Sequence, residues 1–362
     1  MKNIFIKIIK KRSIYVKGIF LLSVLALTSA KCVFINTDGV SITQPQDDGT
    51  QAPVAKAGSI ATFTINGNIN CQEDHHNVQF VVSFLAPKSW NVRDNAKVTY
   101  VTTLYTNPDQ ELPMSPIPDS SLPKNGDGLT WGQKLMQDYG VGPNVLSDME
   151  WVTFATDEKW DIFNGDKPLY TIYIKTNVGD QNLKAYLGFF VNHTDDGVST
   201  SADHKQVQFS TTPFEVIGGK GLTIDFCNEH FNKVQPLAAL QNDLVTFSFN
   251  GGVYKNDLVD FGEIYLEAVA YNSNGMIISQ INEKSSKTLL TRESLYNQTY
   301  NLTVWPADFF NIPDGVLIDH IDYIFTDKSR AVTITLSDDD YAVNGTEIVG
   351  EKKPFLFELL CD

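Results

Sequence analysis

Flat aromatic rings can hold a ligand by stacking, and planar polar groups beside them can take its donors and acceptors. The chain holds five Trp, 14 Tyr and 22 Phe. Trp305 follows Leu302-Thr303-Val304. Side chains alternate along a strand, so if Leu302 and Val304 face a core, Trp305 faces solvent and is free to stack on a ligand. The opposing reading is that Pro306 bends the chain and Trp305 plugs the end of the fold. Tyr265, set between Ile264 and Leu266, and Tyr271 pose the same choice. Trp131 lies beside Asn125-Gly126-Asp127-Gly128, and loops on a rigid scaffold carry function disproportionately; its alternative is an anchor at a helix start. Trp151 and Trp160 are further candidates, while Trp90, after Pro87, reads as a core or turn residue.

Hydrolysis of a glycosidic bond needs two carboxyl groups held about 5–10 Å apart across a cleft. Glu73, Asp74, Glu150, Asp157, Glu158 and Glu263 are available, but no spacing pairs any two. Asp338-Asp339-Asp340 and Asp195-Asp196 are runs of the oxygen ligands calcium favours. Neither has the D-x-D-x-D-G spacing of a calcium loop, so each reads as an exposed acidic turn. Cys71-Gln72-Glu73-Asp74-His75-His76 is echoed by Cys227-Asn228-Glu229-His230. The echo fits either a metal site between modules or two similar polar turns after strands, and the turns are favoured. There is no CxxC pair for zinc, no G-x-S-x-G, no P-loop and no dinucleotide fingerprint. The expectation is a non-catalytic protein with no metal and no cofactor.

The elements that would position these residues are strands. Ser59–Ile65, Val78–Ala86, Lys97–Leu104, Trp151–Phe154, Leu169–Lys175, Leu183–Val191 and Val207–Val216 are β-branched or aromatic, separated by Gly, Asn, Asp and Pro. A second series runs through Leu244–Phe249, Glu263–Tyr271, Ile277–Ile281, Tyr300–Trp305, Leu317–Thr326, Ala331–Leu336 and Phe355–Leu360. The expected fold is all-β, two Ig-like β-sandwich modules in series, residues 58–221 and 222–362. Residues 107–148 interrupt the first with six prolines and a short helix predicted at Trp131–Tyr139.

With 28 Lys+Arg against 43 Asp+Glu the net charge is -15. Seven of the bases and none of the acids fall in residues 1–31, so the remainder carries 21 bases and 43 acids, a net of -22. Such a body repels phosphate backbones, which excludes nucleic acid as a partner. The basic start runs into an apolar stretch from Gly18 to Leu27 and then Thr28-Ser29-Ala30, the parts of a secretory signal over 1–31. That run is too short to span a bilayer. Cleavage after Ala30 is one ending. The other reads Leu27-Thr28-Ser29-Ala30-Lys31-Cys32 as a lipobox, with Cys32 the lipid anchor in an outer membrane and residues 32–57 a polar tether. Export places the cysteines in an oxidising compartment. Of Cys32, Cys71, Cys227 and Cys361, the favoured disulfide joins Cys227 to Cys361, which flank the second module.

Phe84-Leu85-Ala86-Pro87-Lys88-Ser89-Trp90, Val98-Thr99-Tyr100, Glu150-Trp151-Val152 and Val191-Asn192-His193-Thr194-Asp195-Asp196-Gly197 resemble an uncharacterised family of exported Bacteroidetes proteins. That family accompanies SusC/SusD-type polysaccharide-utilisation systems. Val245-Thr246-Phe247-Ser248-Phe249, Tyr300 to Pro306, Phe309 to Gly315 and Ile321 to Asp327 resemble the carbohydrate-binding-like sandwich of SusE-type proteins, with Lys328-Ser329 where that pattern has a Gly. The resemblance implies a non-catalytic accessory protein at the cell surface, with polysaccharide or oligosaccharide as ligand and outer-membrane uptake components as partners. A structural or adhesive surface protein is the alternative from another class, and a carbohydrate-active enzyme a third.

Overall fold

The computed structural model describes residues 33–198 and 206–360. The export segment, Cys32 and Cys361 lie outside the described residues. Among the described residues no helix is long and apolar enough to cross a membrane. The fold is the expected all-β one, two Ig-like β-sandwich modules in series, each with its own core.

The first module is built on a nine-stranded sheet. Its order is Val33–Ser41, Ile60–Cys71, Leu169–Asn177, Lys97–Thr102, Leu112–Pro116, Met149–Thr156, Phe80–Pro87, Gly188–His193 and Val207–Phe209. Residues from the first eight strands of this order, Ile35, Tyr100, Ile172 and Val191 among them, line one small pocket of about 30 Å³, so the sheet curls around its core. A four-stranded sheet covers one side of that core. Phe214 from this sheet meets Phe63 at 5.1 Å and Trp90 at 5.8 Å, both edge-on, as aromatic quadrupoles prefer. Trp90 is thus a core residue.

Two expected strands divide. Leu183–Val191 is a Gln181–Ala185 strand in the smaller sheet and a Gly188–His193 strand in the larger. Val207–Val216 divides in the same way, because its two halves pair with those two halves. One hairpin therefore bends from sheet to sheet and ties the sandwich together. The predicted helix forms at Trp131–Tyr139, opened by a capping box in which Thr130 accepts from the Gln133 amide and Gln133 reaches back. The same insertion also supplies the Leu112–Pro116 strand, which its prolines had hidden.

The segment read as a tether is folded. Val33 and Ile35 are buried on the inner face, and Val33–Ser41 pairs antiparallel with Ile60–Cys71. Gln44 extends this pairing with its side chain, donating to the Thr62 carbonyl and accepting the Thr62 amide, each at 2.8 Å. The polar residues that gave the segment a linker composition lie on the outer face, where Asn36 donates to Asn68 and Asn68 to Asp38. The module boundary also moves. Lys220–Asp225 pairs in parallel with Gln181–Ala185, and Phe226 belongs to the first core. The second core begins at Phe231, so the junction is residues 227–230 rather than 222.

The second module is a two-layer sandwich. One sheet has the order Asn232–Gln235, Val245–Asn250, Thr299–Val304, Thr291–Arg292. The other joins Ile277–Ile281, Tyr265–Tyr271, His320–Thr326 and Thr333–Ile334, with Phe355–Glu358 also paired to His320–Thr326. Phe247 against Tyr323 at 4.8 Å and Phe249 against Phe325 at 5.3 Å join the layers. Where Ala331–Leu336 was expected as a strand, pairing stops at Ile334 and a helix, Leu336–Asn344, begins.

Candidate functional site

Alternation along two neighbouring strands builds the site. In Val245–Asn250 the side chains of Val245, Phe247 and Phe249 enter the core, leaving Thr246, Ser248 and Asn250 on the outer face. Thr299–Val304 places Thr299, Asn301 and Thr303 on that same face, directly opposite: Thr246 with Thr303, Ser248 with Asn301, Asn250 with Thr299. The two hydroxyls of Thr246 and Thr303 lie 2.8 Å apart. Trp305 is the next residue of this outer row and is 54% exposed. Its orientation follows from what comes after it. Pro306 starts the short helix Pro306–Phe309, and the Trp305 carbonyl accepts the Phe309 amide at 2.8 Å. Phe309 and Phe310, packed edge-to-face at 5.1 Å, are the buried residues of this turn. They take the plugging role considered for Trp305 and leave its indole in solvent. Leu244, also exposed, falls opposite Trp305 when the register is continued by one pair.

The polar row runs on into a cleft between the modules with a volume of about 680 Å³. Its walls are the Lys220–Asp225 strand of the first module and, from the second, Thr246, Ser248, Asn250, Thr299 and Asn301 of the outer row together with Asn232, Lys233, Gln235, Asp340 and Glu358, while Thr303 and Trp305 lie outside the lining. At its base three ionisable groups meet. His230 Nδ1 lies 2.5 Å from Asp339 Oδ2, and its Nε2 lies 3.5 Å from Asp225 Oδ2. Burial alone would lower the His230 pKa, but the two carboxylates outweigh it and lift the imidazole to about 9. Burial likewise opposes ionisation of Asp225. His230, Asn228 and the Cys227 amide bring that carboxyl down to about 2 nonetheless. Asp339 also accepts the Phe231 amide at 2.7 Å. The cluster is thus a clamp of close His–carboxylate contacts joining the first module, the junction and the Leu336–Asn344 helix. In the acidic run, Asp338 closes the capping box of that helix with Thr335, and Asp339 is buried. The run is a helix start and an ion-pair partner, not an exposed turn.

The other expected stacking residues are placed differently. Tyr265 faces outward as its spacing predicts, yet it is only 4% exposed. It bridges Leu289, and its hydroxyl donates to Glu263 at 3.0 Å. Trp131 is 4% exposed and anchors the start of its helix. Neither offers a free ring, so both are corrected to packing residues. Tyr271 is half-buried on the other sheet and stacks on His320 at 4.7 Å, away from the row that carries Trp305. Trp151 is buried with its indole N–H on the Gly140 carbonyl, and Trp160 donates to the Tyr100 hydroxyl.

None of the six carboxylates considered for hydrolysis lines the cleft. Cys227 is a free thiol whose pKa burial pushes up to about 12, the reverse of an activated nucleophile. Its expected disulfide partner, Cys361, lies outside the described residues. Cys71 is buried and free. Of the residues that spacing had echoed, His75 sits between Glu73 and Asp195 at 3.3 and 3.2 Å, beside a His193 that is 1% exposed. Among the described residues no group of three or more His, Cys, Asp or Glu is arranged to hold a metal ion. The polar row itself was missed, although it was legible: Thr, Ser and Asn alternate with Val and Phe in LVTFSFN.

Residues 38–230 match a family model described as Domain of unknown function (DUF4961). Residues 232–334 match a second, Domain of unknown function (DUF8578). No curated protein matches the chain. Among solved structures the chain is similar to the C-terminal domain of the Streptococcus pyogenes antigen I/II-family protein AspA, at 10% identity and a TM-score of 0.25 over 91% of this chain and 99% of that one. It is also similar to the Corynebacterium diphtheriae major pilin SpaA, at 8% identity and 0.25 over 89% and 63%. AvmM, described as catalysing macrocyclization in alchivemycin A biosynthesis, gives 10% and 0.26 over 52% and 90%. Overlays this loose carry no argument about function.

Proposed function

We propose, for a chain that belongs to the DUF4961 family, that the second module binds oligosaccharide segments of a polysaccharide without cleaving them. One observation carries the reading. An exposed tryptophan stands at the head of a row of hydroxyls and amides that leads into a cleft of about 680 Å³. An exposed indole is the flat face a pyranose needs, and paired Thr, Ser and Asn side chains are donors and acceptors matched to its hydroxyls. The cleft side of the row carries Glu293, Asp340 and Glu358 against Lys220 and Lys233, so the ligand is a neutral glycan rather than a uronate or a sulfated one.

The protein acts at the cell surface as an accessory to outer-membrane uptake components. Export by residues 1–31 and lipid on Cys32 would bring it there. Binding by one shallow site is weak, and several copies on one membrane raise it by avidity. The test is affinity electrophoresis of the mature, untagged chain through gels of neutral and of anionic polysaccharides. Retardation by a neutral glycan, lost in Trp305→Ala, is the expected result. Unchanged migration in every gel would overturn the reading.

A further inference from the structure

The strand that carries Trp305 ends, at its other end, in an exposed aromatic tip. Thr291–Arg292 pairs with Asn301 and Tyr300, and residues 293–298 form the connecting loop. At its tip Leu295 is 85% exposed and Tyr296 is 99% exposed. Single exposed apolar residues are ordinary. These two sit on a braced backbone. Arg292 lies over the Tyr300 ring at 5.9 Å and donates from Nε to the Asn297 carbonyl at 2.7 Å, with Nη2 at 3.5 Å from the Leu295 carbonyl. Asn297 donates to Glu293 and accepts the Thr299 amide, and Ser294 accepts the Tyr296 amide. The loop's conformational entropy is therefore spent in folding. A tyrosine with two rotatable angles then binds at little further cost.

At about 3.4 Å per residue, Thr299 and Trp305 are roughly 20 Å apart along the strand. Between them the outer row presents Asn301 and Thr303, and both Thr299 and Glu293 reach the cleft. We infer that Tyr296 is a second aromatic platform for the same ligand, so that the site takes a linear oligosaccharide long enough to reach from Trp305 to Tyr296 and discriminates against mono- and disaccharides. The inference rests on the glycan reading of the row. It adds a length requirement that the row alone does not impose.

Isothermal titration of the mature chain with malto-, cello- and xylo-oligosaccharides, each as disaccharide and as hexasaccharide, tests it. One hexasaccharide is expected to bind about tenfold tighter than its disaccharide, the size of one aromatic contact. Tyr296→Ala removes that difference and leaves the disaccharide unchanged. Tyr296→Phe keeps it, and Trp305→Ala weakens both ligands. If Tyr296→Ala leaves hexasaccharide binding intact while Trp305→Ala abolishes it, the length inference fails and the glycan reading stands. If the parent chain binds no oligosaccharide and no gel retards it, the glycan reading itself fails. Self-association by sedimentation that Tyr296→Ala abolishes, with glycan binding unaffected, would make the tip a protein-docking surface and overturn the inference.

Discussion

At the scale of single residues, exposure separates binding groups from packing groups. Trp305 makes few contacts that folding depends on, so Trp305→Ala is expected to shift stability by less than about 0.5 kcal/mol while abolishing retardation by the glycan. Thermal melting beside affinity electrophoresis checks both halves. His230 is the opposite case. Its folded pKa is raised from 6.5 to about 9, so its contribution is fully present below pH 6.5 and is lost as pH rises through about 9. That contribution is no more than about 3 kcal/mol. Asp225, lowered from 3.8 to about 2, adds stability above pH 3.8 that disappears as pH falls through about 2. His193, held neutral by burial with its pKa lowered from 6.5 to about 4, costs stability as pH falls from 6.5 toward 4. Urea midpoints are therefore expected to peak near neutral pH, and His230→Gln should flatten the alkaline limb and, because His230 helps hold the Asp225 carboxyl down, also weaken the Asp225 part of the acid limb. An alkaline limb unchanged in His230→Gln would show that the clamp bears no load. Alternation offered an outward Trp305 but left the plugging role open, and the burial of Phe309 and Phe310 decided between them. The burial of Tyr265 could not be read from alternation, because it depends on contact with Leu289, far off in sequence.

At the scale of elements, local rules held where the element closes on itself. The Trp131–Tyr139 helix was readable because its start signal, Thr130 with Gln133, is local. Thr130→Ala should cost about 1 kcal/mol, measurable as a lower denaturant midpoint with m unchanged. The Leu336–Asn344 helix has the same signal in Thr335 and Asp338, and three successive aspartates drew the reading toward a surface turn instead. Strand length was less legible. The hairpin that passes from one sheet to the other reads as two unbroken apolar runs, since both halves are buried. Its bend is set by which sheet each half joins. Phe63, fully buried between Phe84, Trp90 and Phe214, joins the layers of that sandwich. Phe63→Ala is expected to destabilise the first module by about 3–5 kcal/mol. A loss below about 1 kcal/mol would mean that this aromatic cluster is not the centre of the core.

At the scale of the whole molecule, the corrected tether has a consequence for anchoring. Val33 is already paired with Cys71 in the large sheet, so a lipid on Cys32 would be one peptide bond from the folded body and would hold the first module against the bilayer. Cys32→Ala is expected to move the protein from the membrane fraction to the soluble fraction. Intact mass of the membrane form, with or without the added acyl chains, decides whether the lipid is there. The sequence by itself determined the all-β class, the two modules and the acidity of the body. Those follow from composition and from a period of two along the chain, which are local properties. Only the tertiary structure decided that residues 33–57 are folded, that the modules meet at 227–230, and that Tyr265 and Trp131 are covered. It alone joined Asp225, His230 and Asp339, and set the polar row of one module against a strand of the other. Each of these depends on groups distant in sequence being brought into contact, and the chain's local pattern does not encode which distant surface will cover which face.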